Sequence, residues 1–359
     1  MNVPAIQACI ADRRVLRLAL GTSLALCVSQ ALGWPLSVIA PLVAMVLLAL
    51  PMPAPTLKMG IALIAAILGP ILIGSLVLLP FFSHLHIVGI ILVVLALFHS
   101  FYLAARGAPA AVGTFLTIGI TLNVAIGSVN IDALYAIVSG LAKGAISGLL
   151  FVWLAHAMLP DLPATFPAQR RAPAPKPPAD IARLRAVRSL LVVLPVAIIF
   201  LFSSASTSYI VVMIKVASMG QQAEAGSSRS MGRSLLESTF WGGLGAIVGW
   251  QLLSLWPSLV FFTLLVAIAA LLYGRRIFRG AGMHPNGHMW SYAFLTMLVI
   301  LAPAALDSAG SSAAGAAFWW RLLLIAITAV YGSLAVVVFD TFFSGGAGTT
   351  RSRGAGAAV

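Results

Sequence analysis

The sequence predicts an all-α integral membrane protein of about 12 transmembrane helices, within a range of 10–12, built as two parallel six-helix repeats. Three observations lead there. Of 359 residues, 61% are hydrophobic and only 8% are charged, more apolar side chain than a soluble core of this size needs. Lys and Arg fall in every second gap between apolar segments, while the intervening gaps carry Asp, His, Ser, Asn and Gly. That alternation is the positive-inside pattern, with both termini in the cytoplasm. Landmarks of the first half also recur in the second.

The chain opens with a cytoplasmic tail, residues 1–15, and a first membrane repeat over residues 16–159. Arg13, Arg14 and Arg17 before an apolar stretch imitate a signal peptide. The apolar sequence continues to Leu50 without an obvious cleavage site, so it reads as a retained first span. Span 1 runs from about Leu16 to Leu32 and span 2 from about Leu36 to Leu50, joined by Gly33, Trp34 and Pro35. Both are short for a core of roughly 30 Å, which needs about 20 helical residues. They either sit buried with little tilt or form a broken hairpin. Spans 3 to 6 cover about Leu57–Leu79, Ile87–Ala104, Ala110–Gly127 and Ala133–Leu159. Pro70, between Gly69 and Gly74, is a candidate hinge in span 3.

Residues 160–188 are rich in Pro and Arg, and read as a cytoplasmic linker, because proline removes backbone donors and stiffens the chain. The second repeat occupies residues 189–343, with spans at about Leu190–Phe202, Tyr209–Ala217, Ser234–Leu255, Leu259–Tyr273, Trp290–Ala305 and Phe318–Phe343. A Gly- and Ala-rich cytoplasmic tail, 344–359, follows. Arg17 matches Arg188, Met59-Gly60 matches Met231-Gly232, Arg106-Gly107 matches Arg279-Gly280, and the string at 114–117 matches 293–296. The offsets are 171, 172, 173 and 179 residues, increasing steadily as duplication with small insertions requires.

The net charge of +13 does not indicate nucleic acid. The basic residues sit in short clusters beside apolar segments, where they set topology and meet anionic lipid, and no basic face is interleaved with aromatics. Cys9 and Cys27 form neither a disulfide framework nor a metal site. No phosphate loop, HExxH, paired-Cys motif or nucleophile elbow is present, and the eight acidic residues are scattered. The chain is therefore read as no enzyme, with no cofactor and no metal.

Several residues carry a resemblance. The opening Arg17-Leu-Ala-Leu-Gly-Thr-Ser-Leu-Ala-Leu, the Gly33-Trp34-Pro35 hinge leading to Ile39-Ala40-Pro41, the Arg-starting halves and the glycine-rich third span of each half resemble the fusaric acid resistance and aromatic acid exporter superfamily. The likeness is to its short members, which lack a large cytoplasmic domain between the halves. It implies an efflux component of the bacterial inner membrane for small aromatic carboxylic acids or related toxic amphiphiles. It further implies dependence on the proton gradient and a periplasmic membrane-fusion adaptor subunit. A homo-oligomer is compatible with this reading.

Ionisable groups inside spans are the default candidates for substrate or proton coupling, since each costs several kcal/mol unless paired or hydrated. Lys143 lies near the middle of span 6, too deep to reach either headgroup layer comfortably, and a structural ion pair is its alternative reading. Gly140, Gly144 and Gly148 share a helix face with fourfold spacing, as do Gly245 and Gly249 in span 9, and allow close helix packing. Glu237 lies four residues after Arg233 and pairs with it on one face near the cytoplasmic surface. Asp340 near the inner end of span 12, His99 in span 4 and Asn123 in span 5 complete the set. His99 reads first as a satisfied core residue, and Asn123 equally as hydrogen-bonding helix glue. Arg321 is expected to snorkel to the outer headgroups. The rival function is a non-transporting membrane scaffold or assembly subunit of a larger envelope complex.

Overall fold

The computed structural model describes residues 3–34, 36–73, 84–107, 116–117, 120, 131–161, 177–202, 228–307 and 313–343. Its helices are α1 (Val3–Ala31), α2 (Ile39–Leu48), α3 (Leu57–Ile73), α4 (His86–Ala105), α5 (Ile131–Met158) and α6 (Ala179–Phe202) in the first part of the chain. α7 (Ser228–Leu255) and α8 (Leu259–Ile277) lead into a two-stranded antiparallel hairpin, β1 (Phe278–Arg279) and β2 (Gly282–Met283), before α9 (Gly287–Asp307) and α10 (Ala313–Phe343). The chain is an all-α membrane protein. Among the described residues, five stretches are long and apolar enough to cross a bilayer: Ile87–Ala105, Val138–Met158, Leu259–Ile277, Gly287–Ala305 and Gly315–Ala335.

Helix ends follow local chemistry. α6 starts immediately after Pro177 and Pro178, with Asp180 in its first turn, where fixed φ and a negative charge both favour a helix start. Helix therefore occupies the last ten residues of the stretch read as a linker. α8 begins at the Ser258 cap, whose Oγ accepts from the Phe261 N–H at 3.2 Å. α3 continues through Gly69 and Pro70 to Ile73, so Pro70 makes no break there; Gly74 lies outside the described residues. α2 has ten residues, about 15 Å of helix, or half a bilayer core. It compensates by burial, with eight of those ten residues enclosed, chiefly by α1 and α5.

Glycine sets the tightest helix contacts, because in lipid packing rather than hydrophobic exclusion holds helices together. At Gly144 a Cβ would lie 2.7 Å from Ile39 Cβ, and at Gly148 2.8 Å from Val43 Cβ, so these glycines admit α2 against α5. Gly140 is buried on the same helix. At Gly249 a Cβ would meet Leu301 Cδ2 at 2.8 Å, and Gly245 faces Met297. α7 accordingly lies parallel to α9 in the most extensive helix contact among the described residues. α1 runs antiparallel to α8, with Val15 and Leu18 against Gly274.

These contacts gather the arginines. The N-termini of α1, α6 and α7 and the C-termini of α4, α5 and α8 meet at one end of the bundle. Arg13 donates to Pro160 O at 2.9 Å, Arg17 to Leu159 O at 2.6 Å, Arg14 to Ala281 O at 2.5 Å, and Arg106 to Pro177 O at 3.0 Å. The loops at this end are thus tied by guanidinium groups to helix-terminal and hairpin carbonyls. Burial of the Arg14 guanidinium lowers its pKa from the ordinary value, against a smaller opposing effect of Asp161.

Candidate functional site

Of the ionisable residues named from sequence, Lys143, Glu237 and His99 stand on three different helices, α5, α7 and α4. Lys143 is exposed on α5, which corrects the expectation of a buried lysine. Successive helical residues are rotated by about 100°, so the face that turns Gly144 toward α2 turns Lys143 outward. Glu237 accepts from Arg233 Nε at 2.6 Å, with the two side chains 37% and 80% exposed. This is a surface pair in which the hydrogen bond from Arg233 raises that arginine's pKa. His99 also faces outward, its Nδ1 2.9 Å from Leu95 O and its ring edge-on to Phe98; it is not a core residue. Asp340 belongs to α10, but its side chain lies outside the described residues, as does the whole of Asn123. Arg321 is 2% exposed inside the bundle, which corrects the expectation that it snorkels. Trp319 and Trp320 beside it are the outward-facing residues, at 50% and 53%. Among the described residues no three His, Cys, Asp or Glu side chains group to hold a metal.

The arrangement of greater chemical interest is the seam where α1 of the first half crosses α8 of the second. At the arginine-rich end Arg14 reaches across it to Ala281 O, while Arg17, 4% exposed, turns to the α5 side and stands 2.7 Å from Asp161 Oδ1. Along α1 and at the start of α2, three polar atoms are buried without a hydrogen-bond partner among the described residues: Thr22 Oγ1, Gln30 Nε2 and Ser37 Oγ. Buried polar groups are normally satisfied, and one left over marks a water, an ion, a ligand or stored strain. Gln30 has such a space beside it. At the end of the seam remote from the arginines, a cavity of about 250 Å³ is lined by Gln30, Leu253, Pro257, Ser258, Leu259, Phe262 and Ala305. The cavity therefore joins α1 to α7, α8 and α9.

Attention to charged residues misses Gln30, Thr22 and Ser37. The available signal was an amide with two donors near the end of span 1, one of the few polar side chains in an otherwise apolar run. A second polar contact links Ser100 Oγ of α4 to Thr117 Oγ1 at 3.1 Å, both fully buried. Thr117 is the counterpart by sequence of Thr296, which is also fully buried and donates to Tyr292 O at 2.7 Å.

Residues 14–155 match a family model described as "Protein of unknown function (DUF2955)". The matched region runs from the arginine cluster of α1 to near the C-terminus of α5. No curated protein matches the chain. No solved structure matches it either.

Proposed function

We propose that this protein is an efflux component of the bacterial inner membrane that exports small organic acids, chiefly aromatic carboxylic acids or related toxic amphiphiles, using the proton gradient. In this reading the chain crosses the membrane 12 times as two parallel six-helix repeats, with the arginine-rich end in the cytoplasm and a periplasmic membrane-fusion adaptor as partner. Reciprocal packing supports the duplication. By the sequence correspondence, α1 and α6 are the first helices of the two halves, and α4 and α8 the fourth. α1 packs on α8, and α6 packs on α4, the exchange expected of a twofold relation between halves. The contacts within each half match as well, α1 with α5 like α6 with α10, and α3 with α5 like α7 with α10.

The observation that carries the transport reading is the unsatisfied amide of Gln30 beside the cavity on the seam between the halves. Parallel-repeat transporters place their substrate path at the repeat interface. A carboxylate offers the acceptor that Gln30 Nε2 lacks. Ser258, whose oxygen is engaged by the Phe261 N–H, retains its hydroxyl hydrogen as a second donor. Leu253, Leu259 and Phe262 supply apolar walls for the rest of a small aromatic acid. Lys143, Glu237, Asp340, His99 and Asn123 remain the candidates for proton coupling or for guiding the anion toward the seam. The test is accumulation of radiolabelled aromatic and aliphatic acids in cells that lack their own exporters and are supplied with an adaptor, before and after the proton gradient is collapsed. Lower accumulation with the protein, lost on collapse, is expected. No difference for any acid, with the protein in the membrane, would favour a scaffold.

A further inference from the structure

A second recess lies away from the seam, on the outside of the bundle. α7 and α8 diverge over α9 and leave a groove of about 510 Å³. Gly245 and Gly249 deepen its α7 wall, and Trp290 and Met297 of α9 form its floor. The rim is aliphatic and faces outward: Val248 and Leu252 are 52% and 41% exposed, Ile268 and Leu272 58% and 62%. On α7 the lining runs from Trp241 to Leu252, about 16 Å at the helical rise per residue. That is close to half of a roughly 30 Å hydrocarbon core, the depth of one leaflet.

The two ends of the groove differ in chemistry. Toward Leu252 it is wholly apolar. At the arginine-rich end it is closed by Arg276, whose guanidinium lies 5.1 Å from the centre of the Trp290 ring. Tyr273 sits there too, its hydroxyl donating to Trp241 O at 2.8 Å. Arg275 belongs to the same last turn of α8, Arg279 follows in β1, and none of the lining residues is acidic. Tryptophan and tyrosine beside an arginine cluster is the composition of a headgroup-level belt.

We propose that this groove binds an anionic phospholipid of the cytoplasmic leaflet, with the phosphate at Arg276 and an acyl chain along the wall between Gly245 and Leu252. A planar guanidinium held against an indole presents its fork to a phosphate with little loss of freedom. The open aliphatic rim suits a chain continuous with the bilayer, whereas a small solute would lie covered on one side only. The proposal shares the orientation of the export reading and is independent of transport itself.

The test uses the full-length protein in detergent, with retained lipid counted by native mass spectrometry after exposure to phosphatidylglycerol or phosphatidylcholine. The wild type is expected to keep phosphatidylglycerol preferentially. Arg276→Gln should weaken that retention about fivefold, the effect of one headgroup-level arginine, whereas Arg183→Gln, an exposed arginine remote from the groove, should not. Ile268→Trp, which fills the groove from its exposed rim, should lower retention of phosphatidylglycerol with an unchanged melting temperature. Equal retention of the two lipids by the wild type, equal loss in the Arg276 and Arg183 variants, or an effect of Ile268→Trp on oligomeric state alone would overturn the assignment. Export measured on the same variants separates this outcome from failure of the transport reading.

Discussion

Arg17 and Asp161 join the first helix of the chain to the segment that leaves α5, with Arg17 Nη1 2.7 Å from Asp161 Oδ1 and the arginine side chain almost fully enclosed. The same guanidinium donates through Nε to Leu159 O at 2.6 Å, so it also meets the partial negative charge of the α5 C-terminus. The two partners are unequal, since the Asp161 side chain is 50% exposed.

That inequality gives the first prediction. Arg17→Ala removes both contacts and leaves a helix-terminal carbonyl without its donor, at a cost of about 2–4 kcal/mol, near the lower end for a broken buried pair. Asp161→Asn costs about 1 kcal/mol or less, because Arg17 keeps its bond to Leu159. Thermal unfolding in detergent should rank the two variants in that order, and an equal loss would show that the carbonyl contact contributes nothing.

Packing at α2 supplies the second. Gly148→Ala places a Cβ 2.8 Å from both Ala40 O and Val43 Cβ, while Gly69→Ala meets nothing within 4 Å. Overpacking of a tight contact costs about 1–3 kcal/mol, and Ala is the better helix former by up to about 1 kcal/mol. The melting temperature should fall for Gly148→Ala and hold or rise for Gly69→Ala.

Glu237→Gln separates structure from function. The i, i+4 pair with Arg233 is solvent-exposed and screened, so its loss should leave expression and melting unchanged. Should Glu237 couple protons, gradient-driven export by this variant would nevertheless disappear, and likewise for Lys143→Ala if that outward-facing lysine guides the anion. Wild-type export by both variants would remove these residues from the site.

Orientation is testable at the two ends of α7 and α8. In a background with Cys9 and Cys27 replaced, a cysteine at Ser254 should react with an impermeant maleimide added from the periplasm. A cysteine at Arg279 should not. The opposite labelling pattern would invert the proposed topology.

Which parts of this were legible in the sequence follows from the range of the forces involved. The helices at 86–105, 131–158, 259–277 and 287–307 could be read because their apolar runs match a bilayer in length. Helix starts were harder. α1 extends back to Val3 through Arg13 and Arg14, charges that look like a loop until their carbonyl partners 147 and 267 residues away are known. The glycine spacing at 144 and 148 marks a packing face, yet only the fold shows that α2 covers it. Lys143 and Arg321 were misplaced in opposite directions, since composition fixes depth along a helix but not the direction in which a side chain points. Gln30 was invisible because its significance is a missing partner, which depends on tertiary contacts.

The central claim, that export runs along the seam between α1 and α8, is tested most directly by linking that seam. Cysteines replacing Leu32 and Val260, exposed residues at the cavity end of α1 and of α8, would be joined by a cleavable bifunctional maleimide in protein lacking its native cysteines. The account predicts that export of a labelled aromatic acid, retained by the unlinked double variant, is lost on linking and restored on cleavage. Undiminished export by fully linked protein would contradict it.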